Sequence, residues 1–296
     1  MTLRLGTRGS ALALVQAESV ARALRATGVK VEIVTVTTLG DRGAALLDKS
    51  RWVSELERAL ADGEIDLAVH SAKDVPTELP SGFELVAVPA RADARDAFCG
   101  AAGLLALPDG ARVGTVSLRR SAQLRAARPD LEVVELRGNV DTRLRKLAEG
   151  QADALVLALA GLQRLGRSDA VSAIAEDFVP AAGQGALALE ARVGELRGDP
   201  RLDAIRDPEA TACVSAERTL VHALGASCHT PVGAHARRRG DGRLELVGWV
   251  GLPDGSEWLR DEVTADAEDV GSRCAERLLA AGARELLERA EQQVAL

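Results

Sequence analysis

Aromatic side chains are nearly missing from this 296-residue chain: 2% of it, with three Trp, three Phe and no Tyr. Its cores must be filled by Val, Leu and Ala, and it lacks the interleaved aromatics on which single-stranded bases stack. Cysteine is scarce too. Cys99, Cys213, Cys228 and Cys274 form no C-x-x-C pair, which argues against zinc ribbons and thioredoxin-like redox motifs, and no metal site is expected. No run approaches the roughly 20 apolar residues of a membrane-spanning helix. The opening "MTLRLGTRGSALALVQAE" has too short an apolar stretch for a signal peptide and no small-residue cleavage site behind one. A cytoplasmic protein with reduced thiols is expected. Excess positive charge is also lacking: 37 basic against 44 acidic residues leaves −7. That argues against nucleic acid or an anionic membrane as partner.

What is present is a repeat. "RLGT" at 4–7 and "RVGT" at 112–115 each close a short β-type run and lead into a helical pattern. Ser10 and Ser117 are the expected N-caps. In the first helix Leu12, Val15, Val20 and Leu24 are expected on roughly one face. "ADGEIDLAV" at 61–69 resembles "AEGQADALV" at 148–156: a helix end, a glycine stop, an aspartate, then a buried strand. These pairs predict two copies of one βαβ-type domain, with a ligand cleft at the strand ends. The last third differs. "RLELVGWVGLPDGSEWLRDEVTA" reads as a hairpin turning at 253–255. "DVGSRCAERLLAAGARELLERAEQQ" reads as one long amphipathic helix with an internal glycine. Together they predict a smaller α+β domain.

Basic residues recur where strands hand over to loops: Arg8, Lys73, Arg119 with Arg120, then Arg137 and Arg143. Arg119 and Arg120 fall in the first turn of a helix, where the macrodipole disfavours a cation by about 0.3–1 kcal/mol. Either they point into water at that small cost, or they and the free helix N–H groups face a bound anion. No G-x-x-x-x-G-K-[ST] phosphate loop is present, and "GQG" at 183–185 is too short for a nucleotide fingerprint. Carboxylates are therefore favoured over phosphates. Asp74, beside Lys73, is either a structural ion-pair partner or a stabiliser of a cation formed in a reaction. Cys228 lies in a small-residue turn, "GASCHTPVGA", and taken alone reads as a small buried hydrophobe.

"TRGSALALVQA", "AVHSAKDVPTELP", "VGTVSLRR", "LRGNVDTRLRKL", "LALAGLQRLG", "PAAGQGALALE" and "GASCHTPVGA" follow one another in the order of the motifs of the porphobilinogen deaminase family. The chain resembles that family from residue 3 to about 236, and the remainder fits its small C-terminal domain. The resemblance implies two periplasmic-binding-protein-like α/β domains around a cleft plus a small α+β domain. The expected domains are residues 1–90 (with 186–204 returning to it), 91–185, and 205–296. It implies condensation of four porphobilinogen molecules, with loss of four ammonias, into the linear tetrapyrrole hydroxymethylbilane of haem-type biosynthesis. It implies a covalent dipyrromethane cofactor on a thioether to Cys228, and a monomer. Cofactor binding would fall to Cys228, Lys73, Asp74, Ser117, Arg119 and Arg120. Substrate binding would fall to Arg8, Ser10, Lys49, Trp52, Arg137 and Arg143. Asp74 would be the catalytic group, stabilising positive charge on pyrrole nitrogens. Cys99, Cys213 and Cys274 would be structural.

The chain departs from the family in three places. "DKSRWV" replaces a glycine-lysine-glycine-leucine-phenylalanine loop, keeping Lys49 and putting Trp52 where the phenylalanine stands. Ala226-Ser227 replaces a glycine pair before Cys228, and Ala182 replaces a proline. None removes a charged position. A clamshell-type anion-binding protein is the competing reading. It needs neither Cys228 nor Asp74, and such proteins usually carry an export signal.

Overall fold

The structure, a computed structural model, describes residues 2–36, 50–226 and 230–295, without the side chains of residues 50–52 and 295. The chain divides into two compact units, Met1–Ala92 with Gly185–Val214, and Asp93–Gln184 with Ser215–Leu296.

The first unit opens with β1 (Thr2–Arg8), α1 (Ala11–Ala26), β2 (Lys30–Val36), α2 (Ser50–Ala61), β3 (Leu67–Ser71) and β4 (Phe83–Ala87). The second follows with β5 (Asp96–Cys99), β6 (Arg112–Gly114), α3 (Leu118–Ala127), β7 (Glu132–Val134), α4 (Val140–Ala148), β8 (Ala154–Ala158), α5 (Leu159–Arg164) and β9 (Ala173–Ala175). The chain then returns to the first unit for β10 (Leu187–Arg192) and α6 (Pro200–Asp203), and α7 (Pro208–Ala223) carries it back.

The two large sheets share one topology. The first runs β2-β1-β3-β10-β4, with β1 parallel to β2 and β3, and β10 antiparallel to β3 and β4. The second runs β7-β6-β8-β5-β9, with β6 parallel to β7 and β8, and β5 antiparallel to β8 and β9. The repeated residues do equivalent jobs. Arg4 pairs with Asp66 at 2.5 Å, and Arg112 with Asp153 at 3.0 Å, so each "R-x-G-T" strand is tied to the aspartate leading into the third strand. A Cβ on Gly6 would meet Ile65, and one on Gly114 would meet Leu155 and Leu136. At both positions only glycine leaves the apolar side chain its room. Gly63 and Gly150 end their helices at φ 68° and 75°, a backbone region that costs other residues about 1–2 kcal/mol. The fold is thus α/β, duplicated as the sequence predicts.

Ser10 and Ser117 cap α1 and α3 as expected, accepting from the N–H groups of Ala13 and Arg120. The buried face of α1 differs from the one predicted. It is Gln16, Ala17, Val20, Ala21 and Leu24, while Val15 is 40% exposed. Val15 lies five residues from Val20, about 140° around a helix of 3.6 residues per turn, so the two cannot share a face.

In the C-terminal region β11 (Val232–Arg238), β12 (Leu244–Gly251) and β13 (Trp258–Ala265) form an antiparallel sheet, followed by α8 (Val270–Ala280) and α9 (Ala283–Ala295). The predicted hairpin is present, with Gly255 at φ 73° in its turn. The single long helix is not. It breaks at Gly282, whose φ of 102° no α-helix accommodates. Cys99, Cys213 and Cys274 are buried. Among the described residues no helix is long and apolar enough to cross a membrane.

Candidate active site

In the first unit the candidate residues stand at the C-terminal ends of two adjacent parallel strands. Arg8 ends β1, and Ser10 caps the helix that follows. Next to it, β3 runs into a 3-10 turn, Ala72–Asp74, that carries Lys73 and Asp74. The turn is anchored on both sides. Ala72 donates its N–H to Ala186 O at 3.0 Å, and Ala72 and Val75 are buried with Ala186 and Ala188. Lys73 and Asp74 are left half-buried. Gln16 on α1 donates to Ser71 Oγ at 2.9 Å, tying that helix to the end of β3. Lys49 lies outside the described residues, as does the Trp52 side chain. On β3 itself, His70 Nε2 stands 2.8 Å from Glu190 Oε2 of β10. Burial, and then the charge of Glu190, push the nearby Glu57 carboxyl up against the opposing effect of His70. Sequence reasoning assigned this buried group nothing.

In the second unit Ser117, Arg119 and Arg120 follow the end of β6, at the start of α3. Both arginines are buried, 5% and 6% exposed, and neither points into water. Their partner is Asp96, the first residue of β5 and 0% exposed. Asp96 Oδ2 lies 2.8 Å from Arg119 Nη1, and Oδ1 lies 2.9 Å from Arg120 Nε and 2.7 Å from Arg120 Nη2. Arg119 Nη1 also donates to Val179 O at 2.8 Å, and Arg120 Nη1 to Val156 O at 3.3 Å. Burial alone would raise the Asp96 carboxyl. The charges of Arg119 and Arg120 override it and hold Asp96 well below the usual carboxylate range. Burial depresses Arg119, with Asp96 opposing and the charge of Arg120 adding to it.

Arg143, on α4, is close enough to Arg120 to feel its charge. Burial and then that charge lower its pKa. The Nε atoms of Arg119 and Arg143 are buried without a hydrogen-bond partner. Arg137 is placed apart from them: it is exposed and paired with Glu135 at 2.9 Å. Cys228 lies outside the described residues, between α7 and β11 in the sequence.

Sequence reasoning missed Asp96, which no local signal separates from Asp93. It also missed Gln123 and Gln184, although Gln184 stands inside a quoted motif. Gln123 binds both backbone groups of Val179, donating to its O at 3.0 Å and accepting from its N–H at 2.7 Å.

Two family models match the chain: "Porphobilinogen deaminase, dipyromethane cofactor binding domain" over residues 3–198, and "Porphobilinogen deaminase, C-terminal domain" over residues 211–280. The relatives that carry the name porphobilinogen deaminase include three bacterial ones. That of Thiobacillus denitrificans is 50% identical, covering 97% of this chain and 98% of the relative. That of Rubrobacter xylanophilus is 50% identical, covering 96% of each. That of Thermus thermophilus is 46% identical, covering 96% and 97%. Among solved structures, a nutrient binding protein from Burkholderia cenocepacia bound to methionine is 14% identical, with a TM-score of 0.44 over 70% of this chain and 93% of that one. The two family models and the near full-length relatives agree, and the chain belongs to the porphobilinogen deaminase family.

Proposed function

We propose how this chain's residues share the work of the family's reaction. That reaction joins four porphobilinogen molecules head to tail into hydroxymethylbilane, with release of four ammonias, in tetrapyrrole biosynthesis. The observation that carries the assignment is the charge around Asp96. The guanidiniums of Arg119 and Arg120 share one buried carboxylate, Arg143 is close enough to Arg120 to feel its charge, and the Nε atoms of Arg119 and Arg143 are buried and unpartnered. A buried excess of positive charge with idle donors suits an anionic ligand. The dipyrromethane cofactor fits this donor set, because every pyrrole unit carries an acetate and a propionate.

Ser117, Arg119, Arg120, Lys73 and Asp74 hold the cofactor, with Cys228 as its thioether anchor. When bound, it supplies the free pyrrole α-carbon from which the chain grows. Arg8, Ser10, Lys49, Trp52, Arg137 and Arg143 bind porphobilinogen and the lengthening chain. Asp74 accepts hydrogen bonds from pyrrole N–H groups. It stabilises positive charge developing on those nitrogens more than it stabilises their neutral state, which is what accelerates a reaction. The same carboxylate can take the proton lost as the carbon–carbon bond forms. We assign residues 1–90 with 186–204, 91–185 and 205–296 as the three domains; the C-terminal family model at 211–280 supports the last. We assign a cytoplasmic monomer acting on small molecules; the net charge of −7 argues against nucleic acid or an anionic membrane as partner.

Intact mass tests the assignment. Purified protein should be heavier than its sequence by two pyrrole units, and porphobilinogen should add a ladder of further units. Cys228→Ala should show the bare sequence mass and no turnover. If that variant still carries two pyrrole units, the anchor is elsewhere.

A further inference from the structure

We propose that Asp96 is a positioning residue for Arg119 and Arg120, with Gln184 as its brace. The proposal rests on the reading that these arginines bind cofactor or substrate carboxylates. Asp96 is fixed by backbone on both sides, facing Ala158 of β8 and Ala175 of β9 in the ladder. Its Oδ1 accepts from Arg120 and also from Gln184 Nε2 at 2.8 Å. Gln184 Nε2 donates in turn to Ala94 O at 2.7 Å, and its Oε1 accepts from Arg120 Nη2 at 3.3 Å. One carboxylate, held from two directions, therefore fixes the orientation of both guanidiniums.

Charge decides what this arrangement is for. Two adjacent guanidiniums buried at a helix start repel one another and the positive end of the helix dipole. Asp96 offsets this without neutralising it, since one negative charge faces both Arg119 and Arg120, and Arg143 adds a further positive charge near Arg120. The arginines are aimed while a net positive charge is left over. The two differ in what remains to them. Arg120 is engaged through Nε and both Nη atoms by Asp96, Val156 and Gln184. Arg119 keeps its buried Nε unpartnered. In this arrangement Arg120 steadies the pair and Arg119 presents donors to the ligand. Two-pronged carboxylate recognition depends on such aim, and misplacement by about 1 Å costs on the order of a hundredfold.

The test loads cofactor-free protein with porphobilinogen and follows dipyrromethane attachment by intact mass, for wild type, Asp96→Asn, Gln184→Met and Arg119→Leu. Asp96→Asn keeps the shape and should load at least about tenfold more slowly than wild type. Its loaded fraction should show KM for porphobilinogen raised by about tenfold, with kcat within about threefold, because Asp96 acts through ligand binding and not on the reacting atoms. Gln184→Met keeps every charge and should slow loading in the same direction by about threefold. A folded Asp96→Asn with wild-type loading and KM overturns the proposal. If Asp96→Asn does not fold, wild-type loading by Gln184→Met overturns it instead. Wild-type loading by Arg119→Leu would sink the underlying reading of the arginines, a different result from either.

Discussion

Asp74 is carried on a turn whose neighbours Ala72 and Val75 are packed into the core, so its backbone has little freedom to follow a substrate. Its charge and its position can therefore be changed separately. Asp74→Asn keeps the shape and loses the charge; turnover should fall by about 10²–10³-fold, the usual effect of losing one preorganised electrostatic group. Asp74→Glu keeps the charge and moves it by one methylene, and a weak residual rate should survive. Steady-state kinetics on cofactor-loaded protein checks both, and an Asn variant as active as wild type would end the assignment. At this scale the sequence was half legible. It marked Arg119 and Arg120 through their awkward place in a first helical turn, but it could not show Asp96. Asp93 and Asp96 look alike in "RADARDAF", yet Asp93 pairs with the neighbouring Arg95 while Asp96 turns into the core. The difference is set by strands β8 and β9, which are more than fifty residues away.

The repeated elements were readable because each carries local chemistry. A glycine stop, a serine cap and an aspartate before a buried strand all act within a few residues of themselves. The joints between elements were not. Gly255 fits its hairpin locally, but a Cβ there would also meet the backbone N of Ala126 at 2.4 Å, so the turn is pressed against α3. Arg125 reinforces the contact by donating to Pro253 O at 2.8 Å. Glu217 on α7 is a second joint. It is fully buried, and its two oxygens accept from the backbone N–H groups of Gly183 at 2.7 Å and Ala236 at 2.8 Å. Residues 179–184, which hold Arg119 through Val179, are thereby tied to β11. Glu217→Ala leaves two buried N–H groups unpaired and should cost about 2–6 kcal/mol at roughly 1–3 kcal/mol each. Urea unfolding measures it, and an unchanged midpoint would show that the joint carries no stability.

Across the molecule, composition sets an unusual response to alkali. The chain has no tyrosine and only four lysines, so few side chains titrate between pH 9 and 11. Burial pushes the Cys99 thiol up to about 11. Burial, and then the charge of Asp261, push Cys274 up to about 12. Both folded values exceed the unfolded one, near 9.0. The stability these thiols contribute is fully present below about pH 9 and is lost as pH rises toward 11 and 12. Unfolding free energy should therefore decline from about pH 9 upward, with thiolate absorbance from these two cysteines appearing only on unfolding. A flat stability profile to pH 11 would contradict it.

The sequence by itself determined the duplicated βαβ pattern, the hairpin, the caps and the row of basic residues at strand ends. Those features follow from periodicity and from side chains acting on their own backbone. Only the tertiary structure decided the rest. It placed β10 antiparallel in the first sheet and β5 antiparallel in the second, broke the last helix at Gly282, and buried Asp96 between two arginines. Each of these depends on atoms brought together from distant parts of the chain, or on whether a glycine's backbone turns left-handed once its neighbours have packed. Burial then adds to the electrostatics, because removing water from around a carboxylate or a guanidinium disfavours its charged form unless an opposite charge stands close by.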